Sequence, residues 1–199
     1  MNVDYKSECE VTSTAAKAAT GRTLDEWYAE LDAHGGPSVG RRVHTEYLFR
    51  QLKVDPWWTT TIIVEYERAR GEFEKDGLPK GYNICATKAL TAEPAAIFEQ
   101  FSDASWWLSK DAQVVEGSTF DDGDGHKGVF KKVTAGKVIR FTWDGKNHHP
   151  GEVVEIKTTT SGGKTSVMMN HDRLQTRAAA DGMRAAWGLI LNKLKGRLS

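Results

Sequence analysis

The chain of 199 residues is 39% apolar and 27% charged, and 27 basic side chains balance 27 acidic ones. That is the composition of a folded globular protein; it excludes disordered and collagen-like chains, and the length suits one large domain or two small ones at roughly 150 residues each. The longest apolar runs, such as residues 187–191, fall far short of the about 18 residues of a membrane-spanning helix, so no membrane insertion is expected.

The opening MNVDYKSECE has acidic residues early and lacks the apolar run and small-residue cleavage site of a secretory signal, which gives a cytoplasmic expectation. Cys9 and Cys85 are the two cysteines, and neither has a CxxC partner or a histidine at ligand spacing. No zinc, redox pair or other cofactor is therefore expected, and Cys85 reads as a small strand hydrophobe. Cut at Gly77, the first part carries 10 basic and 14 acidic residues and the remainder 17 and 13. Neither balance builds the basic stripe that nucleic acid requires, and the more helical part is the acidic one, so no nucleic-acid partner is expected.

In chain order, an alanine-rich stretch at 14–19 suits a short helix. Thr23 and Glu26 then form a capping box ahead of Leu24, Trp27, Tyr28 and Leu31, which share one helical face until Gly35. Val39, Val43, Tyr47, Leu48 and Leu52 predict a second amphipathic helix, and Asp55 with Pro56 opens a third over 57–70. In this third helix Trp58, Ile62, Tyr66 and Ala69 form a stripe suited to a helical cluster. GRTLDEWYAELDAHG, the WW pair and YERARG resemble, over residues 20–75, a small bacterial helical domain of unknown function. That resemblance implies an architecture and assigns no chemistry.

At Asp76, Gly77, Pro79 and Gly81 the helical period ends, which divides the chain into a small all-α domain, 1–76, and a second domain, 77–199. Tyr82, Ile84 and Ala86 alternate with polar residues as in a half-buried strand. Thr91, Glu93 and Pro94 start a helix bearing Ala96, Ile97, Phe98 and Phe101, and a short second helix follows at 105–108. Strands are expected at 112–120, 127–134, 137–143, 151–159 and 164–172, with turns at 122–125, 135–136 and 162–163. Met183, Trp187, Ile190, Leu191, Leu194 and Leu198 then lie in register on one helix over 178–198. Strand, two short helices, antiparallel meander and long terminal helix make an α+β helix-grip arrangement, a curved sheet wrapped on its last helix.

KALTAEPAAIFEQFSD, KGVFKKVTAGKVIRFTW, KTSVMMNHDRL and AAWGLILNKLKGRL resemble, over residues 81–199, the activator of Hsp90 ATPase homologue 1-like group of the START and Bet v 1-like superfamily. The usual glycine pair on the second strand is reduced here to Gly117, and the hairpin that follows is shortened to an acidic, glycine-rich turn. The resemblance implies a scaffold whose functions diverge widely.

No nucleophile elbow, Walker loop, dinucleotide fingerprint or HExxH motif occurs, which argues against an ATP- or NAD-using enzyme and assigns no catalytic residue. The run Asp121 to Gly125 lacks the sixth-position glycine and twelfth-position glutamate of a calcium loop and reads as an exposed turn. His148 and His149 are adjacent, so along a strand they face opposite ways and cannot jointly hold a metal. Ile139, Phe141 and Trp143 share one strand face, as do Val167, Met169 and His171. With Phe101, Trp106, Trp107, Met183, Trp187 and Ile190 they form an expected cavity wall for a small apolar molecule, or else a filled core. His171 has no acidic residue evidently placed to orient its ring, since neighbouring Asp172 points the other way, and Arg140 falls opposite the aromatic face. The leading expectation is a binding module in which the helical domain is accessory or a lid. A co-chaperone-type contact with a protein partner and a cyclase or hydrolase activity are the alternatives.

Overall fold

The computed structural model describes residues 2–145 and 148–198. The chain divides into two compact units, residues 7–82 and residues 83–199 together with the first six. The second unit thus reclaims the chain's opening residues, and the division falls at 82/83 beside the 76/77 read from the end of the helical period.

In the helical unit, α1 (Ser13–Thr20) is capped by Thr12, whose hydroxyl accepts the Ala15 N–H at 3.1 Å. The expected capping box holds α2 (Leu24–Ala33): Thr23 Oγ1 accepts the Glu26 N–H at 3.2 Å and Glu26 Oε2 accepts the Thr23 N–H at 2.7 Å. The segment predicted as one helix over 39–52 instead changes winding. It runs as α3 (Gly40–Thr45) and then as a wider π-type turn, Glu46–Gln51. That change rotates the side-chain faces, so Leu48 is fully buried while Val39, Val43 and Leu52 are exposed, and His44 takes an inside place. α4 (Pro56–Ala69) begins at the Asp55 cap and buries Trp58, Ile62 and Tyr66 of the expected stripe, leaving Ala69 outside. These three pack with Ala16, Trp27, Leu31, Leu48, Val54 and Ile63 into one core.

The second unit is α+β with helix-grip element order. β1 (Tyr82–Leu90) leads to α5 (Pro94–Ser102) and a single 3-10 turn at Ala104–Trp106. β2 (Thr119–Asp121), β3 (His126–Thr134), β4 (Val138–Thr142), the two-residue β5 (Asp144–Gly145), β6 (Val153–Ser161) and β7 (Lys164–Leu174) follow, and α6 (Arg177–Arg197) closes the chain. The spatial order is β1-β7-β6-β4-β3-β2, with β5 on β3. The strand expected at 112–120 is reduced to its last residues. The Ser118 hydroxyl donates to the carbonyls of Gln113 and Val115, offering the backbone a local alternative to a ladder. Cys85 is exposed rather than a core hydrophobe, and Arg140 is exposed as expected.

Alternation puts Ile139 and Phe141 of β4, Val154 and Ile156 of β6, and Val167, Met169 and His171 of β7 on the buried face. The facing stripe of α6 buries Met183, Trp187, Ile190, Leu191 and Leu194. Among the described residues, no helix is long and apolar enough to cross a membrane.

Candidate functional site

All the predicted wall residues of the second unit except the half-buried Trp106 lie inside it. Their rings touch in series: Phe101 and Trp107 have centroids 5.4 Å apart, Trp107 and Phe141 5.9 Å, Phe141 and Trp143 6.2 Å, and Trp143 and Trp187 5.3 Å. These aromatics therefore fill the interior between sheet and helix instead of lining an open chamber. Space appears at the surface, where Trp106, Trp107 and Leu108 face Ala186, Leu189, Ile190 and Lys193 of α6 across a groove of about 330 Å³. Leu189 is 62% exposed there. Arg197 lies 5.1 Å from the Trp106 ring and donates from Nε to Gln100 Oε1 at 2.8 Å.

At the opposite end of the aromatic series the core becomes polar. His171 Nε2 donates to Glu152 Oε2 at 3.2 Å, and Trp187 Nε1 donates to His171 Nδ1 at 3.4 Å. Because an indole nitrogen only donates, Nδ1 of His171 is the acceptor and its proton sits on Nε2. Glu152 Oε2 also accepts from His148 Nδ1, while its Oε1 accepts the His149 backbone N–H at 3.1 Å. His148 Nε2 then meets the Tyr5 hydroxyl at 2.8 Å, and the same hydroxyl meets His126 Nε2 at 2.6 Å. His126 Nδ1 completes the chain by donating to Asp122 Oδ2 at 2.7 Å. Seven side chains from six segments form one continuous network, and the side chains of Asp122, His148, Glu152 and His171 have no exposed surface.

Local turn chemistry places these groups. Asp122 Oδ1 accepts the backbone N–H groups of Asp124 and His126, each at 2.9 Å, so the acidic turn folds around an inward carboxylate. The exposed-turn reading holds for its tip and fails for Asp122. β5 sits against this turn because Gly145 lacks a Cβ, which would stand 2.0 Å from the Gly125 carbonyl oxygen. From Gly145 the chain returns to Glu152, whose carbonyl accepts the Trp143 N–H at 3.0 Å. His148 turns inward while His149 is exposed.

Burial lowers the pKa of His171 and outweighs the opposing pull of Glu152, so the ring is neutral around pH 7. For Glu152 burial pushes upward, but hydrogen bonds from His148 and His171 hold the carboxyl below its ordinary value. Burial also raises the Tyr5 phenol, and the Glu152 and Asp122 charges add to the rise. His148, Glu152 and His171 offer one ligand atom each within 4.8 Å of one another, a donor set suited to a transition metal. In this structure those groups are joined to one another by hydrogen bonds, with Nδ1 of His148 and Nε2 of His171 both donating to Glu152.

Of the predicted wall, Trp143, His171 and Trp187 meet at this polar end. The expectation that no acidic residue orients His171 is overturned by Glu152. Sequence reasoning missed Tyr5, Asp122, His126, His148 and Glu152. Two Asp/Glu–His pairs at a spacing of four, 122 with 126 and 148 with 152, were a readable signal. Nothing local marks Tyr5, which arrives from the far end of the chain.

A sheet laid on a long last helix, with an aromatic interior and a polar end, defines a helix-grip protein. Residues 91–199, more than half of the chain, match the family described as activator of Hsp90 ATPase homolog 1-like protein, and the chain belongs to that family. No curated protein matches by sequence. Among solved structures, CalU16 from Micromonospora echinospora is similar with a TM-score of 0.53 at 15% identity, over 62% of this chain and 68% of that one. Protein MLL2253 from Mesorhizobium loti gives 0.51 at 18% identity over 59% and 96%. DynU16, from the dynemicin biosynthetic locus, gives 0.51 at 17% identity over 58% and 46%. At these identities the likeness shows the fold alone.

Proposed function

We propose that the protein binds a small apolar molecule with an acidic end in the groove between the Ser105–Leu108 segment and α6. The groove's volume, about 330 Å³, carries this reading: it lies at the small end of the roughly 300–1,000 Å³ range of small-ligand sites. Trp106, Trp107, Leu189 and Ile190 supply apolar walls, and Lys193 supplies a cation at the rim. The buried members of the predicted wall act as the floor that holds those walls in place. The helical unit has an accessory role in this reading, with its own separate core.

Native mass spectrometry of freshly purified protein, followed by solvent extraction, tests the assignment. The expected result is a stoichiometric apolar adduct that is lost in Leu189→Glu. An adduct indifferent to Leu189→Glu, or a clean apo mass that stays clean after incubation with decanoate, would overturn it. The second result would leave the protein-contact reading that the family's description suggests.

A further inference from the structure

Tyr5 stands out in the buried network because of where it comes from. Asp122, His126, His148, Glu152 and His171 all belong to the second unit's strands and turns, whereas Tyr5 belongs to the first few residues of the chain, which pack on that unit before the chain continues into residues 7–82. Val3 is buried, and the strap crosses α6 where Gly182 leaves room: a Cβ on Gly182 would stand 2.4 Å from the Asp4 carbonyl oxygen. Beyond that crossing, the Tyr5 ring meets His148 edge-on at 5.5 Å and His126 tilted at 6.2 Å.

The two histidines are oriented from behind. Each turns Nδ1 to a buried carboxylate, His126 to Asp122 and His148 to Glu152, so each presents Nε2 to the Tyr5 oxygen. The Tyr5 hydroxyl lies within hydrogen-bond distance of both Nε2 atoms and donates to one of them, so the pair is laid out around a single hydroxyl. An ether cannot donate to such a pair, and a carboxylate is repelled by Asp122 and Glu152 behind it. Trp143 forms the apolar side of the site, with its ring stacked on His126 at 5.1 Å. Its buried indole N–H has no acceptor among the described residues.

We propose that the paired Nε2 atoms of His126 and His148 form a binding site for the hydroxyl of a neutral hydroxyarene, and that Tyr5 fills this site as a built-in occupant which such a ligand displaces. Burial keeps the Tyr5 phenol protonated and the carboxylates that orient the histidines add to the effect, so the same surroundings would select the neutral form of an incoming ligand. This site shares no lining side chain with the surface groove, which the strap borders through Asn2, and it stands whether or not the groove binds an acidic apolar molecule.

The test is fluorescence titration of the full chain with 2-naphthol, and with naphthalene as the hydroxyl-free control, in the unsubstituted protein and in Tyr5→Ala, Tyr5→Phe and Gly182→Ala. Gly182→Ala leaves Tyr5 in the chain but pushes the strap off α6, so it opens the site even if Tyr5→Ala fails to fold. If the occupant holds the site closed more than nine-tenths of the time, removing it tightens 2-naphthol binding by about ten-fold or more. That gain is expected for Tyr5→Ala and Gly182→Ala. Little gain is expected for Tyr5→Phe, whose ring still plugs the site, or for naphthalene. An unchanged affinity in Gly182→Ala, or an equal gain for naphthalene, would overturn the proposal. The Leu189→Glu result bears on the groove alone, so the two readings fail separately.

Discussion

In the helical unit, Asp32 accepts the Tyr66 hydroxyl at 2.6 Å and pairs with Arg70 at the surface, where both charged side chains remain about 40% exposed. In the second unit, Glu152 makes the same kinds of bond to His148 and His171 with no exposed surface on any of the three side chains. The bonds look alike and their energetics differ. Water stands ready to replace a partner lost at Asp32, so its network adds little and screens with salt. Nothing replaces a partner lost at Glu152, and the stranded group bears the full desolvation penalty. A polar network maintained at that cost in the middle of an aromatic core implies a use, which the proposed hydroxyl site provides.

The largest effect expected from this contrast is in Glu152→Ala. Removing Glu152 strands the buried N–H groups of His148 and His171, each at about 1–3 kcal/mol, and urea denaturation followed by tryptophan fluorescence should register the loss in the transition of the second unit. A loss below about 1 kcal/mol, the range of exposed pairs, would place Glu152 energetically with the surface network.

An intermediate effect is expected on acidification. Burial lowers the folded-state pKa of His171 below its ordinary 6.5, so as the pH falls through that value the unfolded chain takes up a proton that the folded one resists. Stability is fully present above about pH 6.5 and declines as the pH drops toward the folded pKa, and Glu152, also lowered, adds to the loss under more acidic conditions. His44 in the helical unit shifts in the same direction through burial, so the His171 ring resonances in an NMR titration are the specific readout. They should stay at their neutral position to a pH below the ordinary histidine value of about 6.5, and titration at or above that value would contradict the burial argument.

The smallest effect is expected for Asp32→Asn. The pKa of Asp32 is held at about 2 chiefly by Arg70, with help from Tyr66, yet the group is open to water, so the thermal midpoint of the helical unit should barely move and any change should shrink further in added salt. A salt-independent loss comparable to that of Glu152→Ala would remove the distinction between the two networks.

Several features were legible in the sequence because local chemistry decides them. Thr23 with Glu26, Asp55 with Pro56, and the period of α6 from Met183 to Leu194 determine where helices begin and which faces they bury, whatever surrounds them. The alternation of Ile139, Phe141 and Trp143, and of Val167, Met169 and His171, likewise placed the buried face, because strand geometry turns every second side chain the same way. The mixed winding after Gly40 was not legible, since the apolar spacing of 39–52 fits a regular helix and the departure depends on what packs around Leu48 and His44. Nor was the strand lost before Thr119, where Ser118 takes carbonyls by hydrogen bonding.

The sequence by itself determined the class of most elements, the α+β order and the aromatic inventory of the core. Tertiary structure alone decided that those aromatics fill the interior, and that Glu152, 19 residues away in the chain, reaches His171. It alone also brought Tyr5 between His126 and His148, 121 and 143 positions downstream. Helix caps and strand alternation are properties of neighbouring residues, whereas a hydroxyl shared by two imidazoles depends on distances through space, which exist only once the sheet, α6 and the strap have packed.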